Sequence, residues 1–557
     1  MSHETNIGKV LGLRKFLGAW LVIVLFFTSI IVTPTLSIDI FALPKTTFFV
    51  VNVCAVGLIV LFFRPLYLRI SSDKVTRFIF LFTIFLLFVS ISFQGLNEER
   101  LFGVHGRFNG VLTYAALFLM IIVLRSTFDE DLVKFTFLVG VAGNLLVGIY
   151  FLLQKGERDP LDWAIVYQDP SSTLGNPNFV SGFLATTTFC YLYIFSIRFS
   201  AKTLTIVSKI SALSGIAFSI ICISLTNSIL GLVAVTVGFW FYFSPIAINK
   251  IVNGNLTELR KLFTFVITSI SFFAAALIVI GRDLLDSRSV SNRLYYWKVS
   301  WDALLERPLQ GYGFDTTGEF FRKIDRQDRF GPNFAVDSSH NLVLDFATWV
   351  GLPLTLILLV LLATLLLASV KGLFRSSLRI SSLSILVPSV FAFLVQSLVS
   401  VPTIAINSWG FLFVGALLSA LYPVSSKHPK SQLLSPQASL VRYLSVPLVI
   451  FLLILFPIRF AKDVEFRNFA EASDGLSLVN LVEDWPKDSY HYWTVVYSLY
   501  LSNQPELARE VGQRGLEHNP NNYLLMDEMY RADKDPEFKQ NIARRMKNLN
   551  PLFLETP

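Results

Sequence analysis

The chain has 557 residues, 53% of them apolar, 14% aromatic and only 15% charged. Soluble domains carry about 25% charged residues, so an ordinary soluble protein is excluded. A formal net charge of +8 would suit nucleic acid, but its distribution along the chain removes that reading too. Apolar residues gather in runs of about twenty, enough to cross ~30 Å of hydrocarbon. The expected fold class is therefore an all-α polytopic membrane protein. Cys54, Cys190 and Cys222 all fall inside apolar runs, which leaves neither a disulfide framework nor a Cys/His metal spacing. The first apolar run lacks a small-residue cleavage site and reads as a retained span, not a removed signal peptide.

Thirteen candidate spans follow in chain order, near 17–36, 48–63, 78–94, 111–124, 135–154, 179–197, 210–225, 228–243, 262–281, 341–369, 382–405, 407–424 and 444–458. Some are short, so twelve or thirteen transmembrane helices are expected. Lys and Arg set the orientation, because translocating positive charge is disfavoured. The N-terminal segment and every second loop after it hold 21 Lys/Arg and 6 Asp/Glu, and the remainder holds 26 and 33. The basic excess is thus a topology signal. It puts the N-terminus in the cytosol and the C-terminus outside, and gives no support to nucleic-acid binding.

Two outer segments stand out by length. The loop 282–340 separates spans nine and ten, and 459–557 is a polar tail. Loops this long inside a compact protein are functional or disordered. Within this one, Leu294, Trp297, Trp301, Leu304 and Leu305 share one helical face, which predicts an interfacial amphipathic helix. In the tail, Trp485-Pro486, Asn519-Pro520 and Asn550-Pro551 set prolines 34 and 31 residues apart around helical patterns. That period is tetratricopeptide-like, and a plain helical cap with coincidental spacing is the alternative. The division expected is a membrane domain over 1–458 and a small helical outer domain over 459–557.

Three groups of residues could carry chemistry. His340 sits where the long loop re-enters the membrane, in VDSSHNLVLDFATWVGLPL. Ser338 or Ser339 is expected to cap the following helix, which sets the imidazole at the positive end of the helix dipole and favours its neutral form. Asp345 is the one acid expected inside a span, and intramembrane carboxylates are functional candidates by default. The alternative is an interfacial histidine with a structural acceptor. Second come the arginines: Arg107, Arg293, and Arg322, Arg326 and Arg329 at one-turn spacing. Guanidinium forks fit phosphate oxygens, although a solvated face explains the last three as well, since Asp325 and Asp328 are interleaved. Third is the turn Gly175-Asn176-Pro177-Asn178, whose amides could meet sugar hydroxyls. Neither a P-loop nor a Rossmann fingerprint is present.

Taken in order, RFNG (107–110), LGNPN (174–178), RLYYWKVSWDALLERPLQGYGFD with Pro308, Gly311 and Gly313, and DSSHNLVLD (337–345) resemble the bacterial O-antigen ligase and O-antigen polymerase superfamily of integral membrane glycosyltransferases. The likeness spans about residues 100–360. One departure is that Ser228 is followed by Ile229, where the family often has a Ser-Arg pair. The resemblance implies a metal-independent transferase with no cofactor, acting on the outer face of the cytoplasmic membrane on a glycan carried by undecaprenyl diphosphate. His340 and Arg293 would be catalytic, as base and leaving-group stabiliser. Arg107, Asn176, Asn178, Trp297, Asn341, Asp345 and Arg322 would bind substrate. The acceptor stays open between a lipid core, a growing glycan and a protein hydroxyl, in other words ligase, polymerase or protein O-oligosaccharyltransferase. The tail offers a surface for a protein partner. A lipid-linked glycan transporter is the reading from another class, and a scaffold displaying the tail is the third.

Overall fold

The computed structural model describes residues 2–94, 97–163, 169–251, 257–285, 288–325, 336–375, 382–424, 436–472, 474–485 and 487–553. Among the described residues every regular element is a helix. Ten helices are long and apolar enough to cross a membrane, and Val111–Thr127 and Leu383–Ser397 are shorter apolar helices. With Glu258–Leu285, these account for the thirteen expected stretches. Large apolar side chains stand exposed along them, among them Phe85, Phe88, Val360 and Ile454. In water such exposure would be an aggregation hazard; against acyl chains it is the required surface. The opposite faces pack inward in one continuous core, in which Ile229–Ile251 lies along Leu383–Ser397 and Ala42–Phe62 along the last long helix.

Two boundaries differ from expectation. The stretch 341–369 is not one span but a short helix, Leu342–Val350, followed by the spanning helix Leu352–Arg375. They part at Gly351, whose φ is +84°. The Pro308–Gly313 turn causes the break by pairing with the end of the short helix. Tyr312 N donates to Thr348 O (2.7 Å), Gly313 N to Trp349 O (3.0 Å) and Leu352 N to Pro308 O (2.7 Å). A Cβ on Gly311 would meet Trp349 O at 2.5 Å, and one on Gly351 would meet Leu309 O at 2.2 Å. Only glycine lets the two backbones approach so closely at positive φ. Asp345 therefore belongs to a short helix ahead of the span.

The second difference is at the other end of the chain. Pro436–Glu471 is one continuous helix of 36 residues, so the expected division at 458/459 falls inside a helix. Beyond it, Gly475–Asp484, Ser489–Leu501, Pro505–His518, Tyr523–Ala532 and Pro536–Leu549 close a separate apolar core that runs from Phe466 to Phe553. Four of these five starts are capped, by Asp474, Asp488, Asn522 and Asp535, each side chain accepting a first-turn N–H that lacks an intrahelical partner.

The long loop has a small core of its own. Arg288–Glu306 buries Tyr295, Tyr296, Val299 and Ala303 against Phe320, Phe321, Ile324 and Val336. The apolar face expected from the sequence is split by this packing. Leu304 is buried, while Leu294, Trp301 and Leu305 stay exposed, because the two tyrosines on the neighbouring face offer the aromatic surface that Phe320 and Phe321 cover.

Candidate active site

His340 is held in the left-handed region (φ +55°), an unfavourable backbone for a residue with a Cβ. The neighbouring hydrogen bonds hold it there. Ser338 Oγ accepts from His340 N (3.0 Å) and donates to Asp345 Oδ2 (2.6 Å). Asp345 Oδ1 accepts from both Ser339 N (2.8 Å) and Ser339 Oγ (2.6 Å). Asp345 is fully buried, and burial pushes its carboxyl up to about 6 against those donors. It therefore does not touch the imidazole. It holds Ser338, which fixes the imidazole, and Ser339 beside it.

The helix cap also differs from expectation. Asn341, not a serine, caps Leu342–Val350, its Oδ1 accepting from Val343 N (3.0 Å) and Leu344 N (3.2 Å). Both serines are drawn to Asp345 instead, since a buried carboxylate needs donors more than the helix end does.

The ring geometry bears directly on chemistry. His340 Nδ1 lies 3.0 Å from Ser338 O. A carbonyl only accepts, so Nδ1 carries the proton and the neutral ring keeps its lone pair on Nε2. Burial lowers the imidazole below its ordinary 6.5, and Arg293 and Arg107 lower it further, against the Ser338 carbonyl and Asp337. The Tyr296 ring stands 5.4 Å away. A neutral imidazole with one free lone pair near two guanidinium groups can take a proton from a hydroxyl.

Each arginine is anchored by a different element. Arg107 Nε donates to Asp337 Oδ2 at 2.6 Å, and its guanidinium lies 5.7 Å from the Phe179 ring. That contact joins the RFNG segment to the LGNPN turn and to the histidine loop. Arg293 Nε donates to Val399 O at 2.8 Å, and its Nη1 to the Ser289 carbonyl at 3.1 Å. It is half-buried on the face of Arg288–Glu306 that also carries Tyr296. Trp297 on the same helix has a buried indole N–H without a hydrogen-bond partner among the described residues.

The expected amide contacts are partly committed elsewhere. Asn176 Oδ1 accepts from Asn178 N (2.8 Å) as the cap of Pro177–Thr187, so that oxygen serves the backbone, as Asn341's does. Asn178 is half-buried at the same turn, its carbonyl facing Gln396 Nε2 at 3.4 Å. Arg322 is engaged with the tail. Its guanidinium stacks 4.4 Å from the Tyr523 ring of the tail, and burial lowers it to about 10. Arg326 and Arg329 lie outside the described residues.

One acid of this group is missed by reading the sequence. Asp315 is buried at φ +57° and accepts from Val104 N at 2.9 Å, tying the long loop to the segment that carries Arg107. Burial, with Asp337 and Asp345 adding, raises it to about 7. Its only sequence signal is its place two residues after the Gly311-Tyr312-Gly313 turn.

Residues 214–359 match the family model described as O-antigen ligase. The chain thus carries an O-antigen ligase domain within a helical protein of many apolar helices, which supports a polysaccharide-processing membrane glycosyltransferase. The matched stretch contains Arg293, Trp297, Arg322, His340, Asn341 and Asp345, whereas Arg107, Asn176 and Asn178 precede it. No curated protein matches the chain.

Proposed function

We propose that the protein transfers a glycan from undecaprenyl diphosphate to an acceptor hydroxyl at the outer face of the cytoplasmic membrane. The observation that carries this reading is the His340 arrangement: Nδ1 held by a carbonyl, Nε2 left to act, and two arginines beside it. The acceptor O–H gives its proton to Nε2 as its oxygen bonds the anomeric carbon. The bond from that carbon to the diphosphate oxygen breaks, and the electron pair leaves with undecaprenyl diphosphate. Arg293 and Arg107 stabilise the charge gathering on the diphosphate. Attack from the face opposite the leaving group inverts the anomeric centre, with no metal or cofactor in the step. Asp345 and Ser338 are positioning residues, because they act through the histidine backbone and ring. The exposed Leu294, Trp301 and Leu305 edge suits acyl or polyprenyl chains beside the site.

In this reading the lysine- and arginine-rich loops face the cytosol, and the long loop and the tail face outward. A ligase using a lipid core is the primary assignment. Polymerase and protein O-oligosaccharyltransferase activity use the same chemistry with another hydroxyl. The tetratricopeptide-like tail would then be the region that selects a bulky acceptor.

The test uses protein purified in detergent with a radiolabelled undecaprenyl diphosphate oligosaccharide, and no nucleotide. Label is followed into lipid A-core, lengthened lipid-linked glycan and peptide fractions. Transfer by wild type but not by folded His340→Ala supports the assignment, and the labelled fraction names the acceptor. Full activity of His340→Ala would sink it, and liposome transport assays would then decide for a transporter.

A further inference from the structure

Among the described residues outside the His340 group, one cluster of ligating side chains takes no part in the chemistry above. His105 lies on the loop just before Arg107, Asp463 on the long Pro436–Glu471 helix, and His491 on Ser489–Leu501 of the tail. One ligating atom from each lies within 4.8 Å of the other two. His105 Nδ1, Asp463 Oδ1 and His491 Nε2 are all buried without a hydrogen-bond partner among the described residues. His491 and Asp463 are themselves wholly buried. His105 Nδ1 has no partner among the described residues, and Asp463 Oδ1 and His491 Nε2 have only each other at ion-pair distance, so a group that satisfies all three at once is favoured.

The remaining atoms of these groups are used in ways that hold the ligating atoms inward. His491 Nδ1 lies 2.7 Å from Asp488 Oδ2, the carboxylate–imidazole support that orients a metal-binding histidine and makes its other nitrogen a better donor. Asp463 Oδ2 accepts from Asp39 N at 3.1 Å, which leaves Oδ1 for the cluster. Asp39 Oδ2 in turn accepts from Gly106 N at 2.9 Å, beside His105. The His105 ring is clamped flat on Tyr490, 3.9 Å between centroids and 3° between planes.

Distance and charge both favour a cation. Asp463 Oδ1 and His491 Nε2 are 3.4 Å apart. A charge-assisted hydrogen bond would draw them to about 2.7–2.9 Å. Two ligands on one tetrahedral ion, with bonds of about 2.0–2.2 Å, stand about 3.3–3.5 Å apart. Among the groups in hydrogen-bond or ion-pair contact here, Asp39, Asp463 and Asp488 face one guanidinium, Arg459, which pairs with Asp488. A dication offsets that excess of negative charge.

We propose that His105, Asp463 and His491 bind a divalent transition metal of the zinc class, which clips the tail and the last long helix to the loop carrying Arg107. Two imidazoles and a carboxylate are a donor set that zinc accepts. The site joins three elements distant in sequence, so it acts as a fastener and is separate from transfer chemistry. Its ligands come from residues 105, 463 and 491, which is why no local spacing announces it.

The test uses full-length protein in detergent, purified on a tag without histidines. It is dialysed against metal-free buffer, with and without prior incubation with zinc, and its metals are measured by mass spectrometry. Wild type is expected to retain about one equivalent, and His105→Ala and His491→Ala to retain at least about tenfold less. Should a variant aggregate, wild type alone decides. Chelator should lower its Tm, zinc should restore it, and Co²⁺ should give the visible absorption of a four-coordinate site. Wild type that holds no metal after zinc incubation, with a Tm indifferent to chelator, overturns the proposal. His491 is then a buried imidazolium between Asp463 and Asp488. Variants that bind zinc as wild type does overturn it equally.

Discussion

His340 and His491 are two imidazoles near carboxylates, held in opposite ways. His340 sits on a loop at positive φ, half-buried, its Nδ1 facing a peptide carbonyl. His491 sits on a helix, wholly buried, its Nδ1 facing the Asp488 carboxylate and its Nε2 facing Asp463. A carbonyl partner fixes the tautomer without inviting a second proton. A carboxylate partner makes the ring more basic and suits it to hold a cation. In the proposed reading, the same residue type serves proton transfer in one region and fastening in the other.

Substituting the two histidines is the strongest way to break this contrast. His340→Ala is expected to lower transfer by about 10²–10⁴-fold, the usual worth of a general base, with bound metal unchanged. If His491→Ala instead costs as much transfer as His340→Ala while protein stays folded, the two centres are not separate. Next in size is Arg293→Ala, expected to lower kcat by about 10²–10³-fold. Measuring kcat and KM for the lipid-linked donor checks it, since a change in KM alone would make Arg293 a binding group only.

The pH profile sharpens the comparison further. With His340 as the proposed base, transfer would need the neutral imidazole, so the rate should plateau at high pH and fall on acidification through the His340 pKa. That pKa is lowered by burial and by the arginines, and the acid limb should lie below 6.5 in wild type. Arg107→Gln removes one lowering charge and should move the limb upward. An acid limb well above 6.5 in wild type would contradict the neutral, desolvated ring.

Asp345→Asn should act more weakly and through position. It replaces an acceptor of three hydrogen bonds with an amide whose nitrogen faces a donor, at about 1–3 kcal/mol. The expected outcome is a lower Tm and a fall in kcat with donor KM preserved. The smallest effect belongs to Arg322→Ala, which removes the stack on Tyr523 and should cost about 1–2 kcal/mol of stability. Thermal melting against transfer rate separates the readings: transfer lost with Tm kept would return Arg322 to substrate binding.

Much of this molecule was legible in its sequence. Apolar runs fixed the all-α membrane class, because a bilayer core demands long apolar helices whatever surrounds them. His340, Arg293 and Arg107 stood out as candidates by residue type and place, and the roles proposed for them rest on the family resemblance. What the sequence left undecided depended on contacts between distant segments. Gly351 breaks the stretch 341–369 because the Pro308–Gly313 turn pairs with it, and no local pattern announces that pairing. Asn341 caps its helix because Asp345 has claimed both serines. Asp315, which ties the long loop to the Arg107 segment, and the meeting of His105, Asp463 and His491 depend on where the loops and tail come to rest. Local chemistry and hydrophobic period are written residue by residue, whereas hydrogen-bond competition and convergence exist only once the chain has folded.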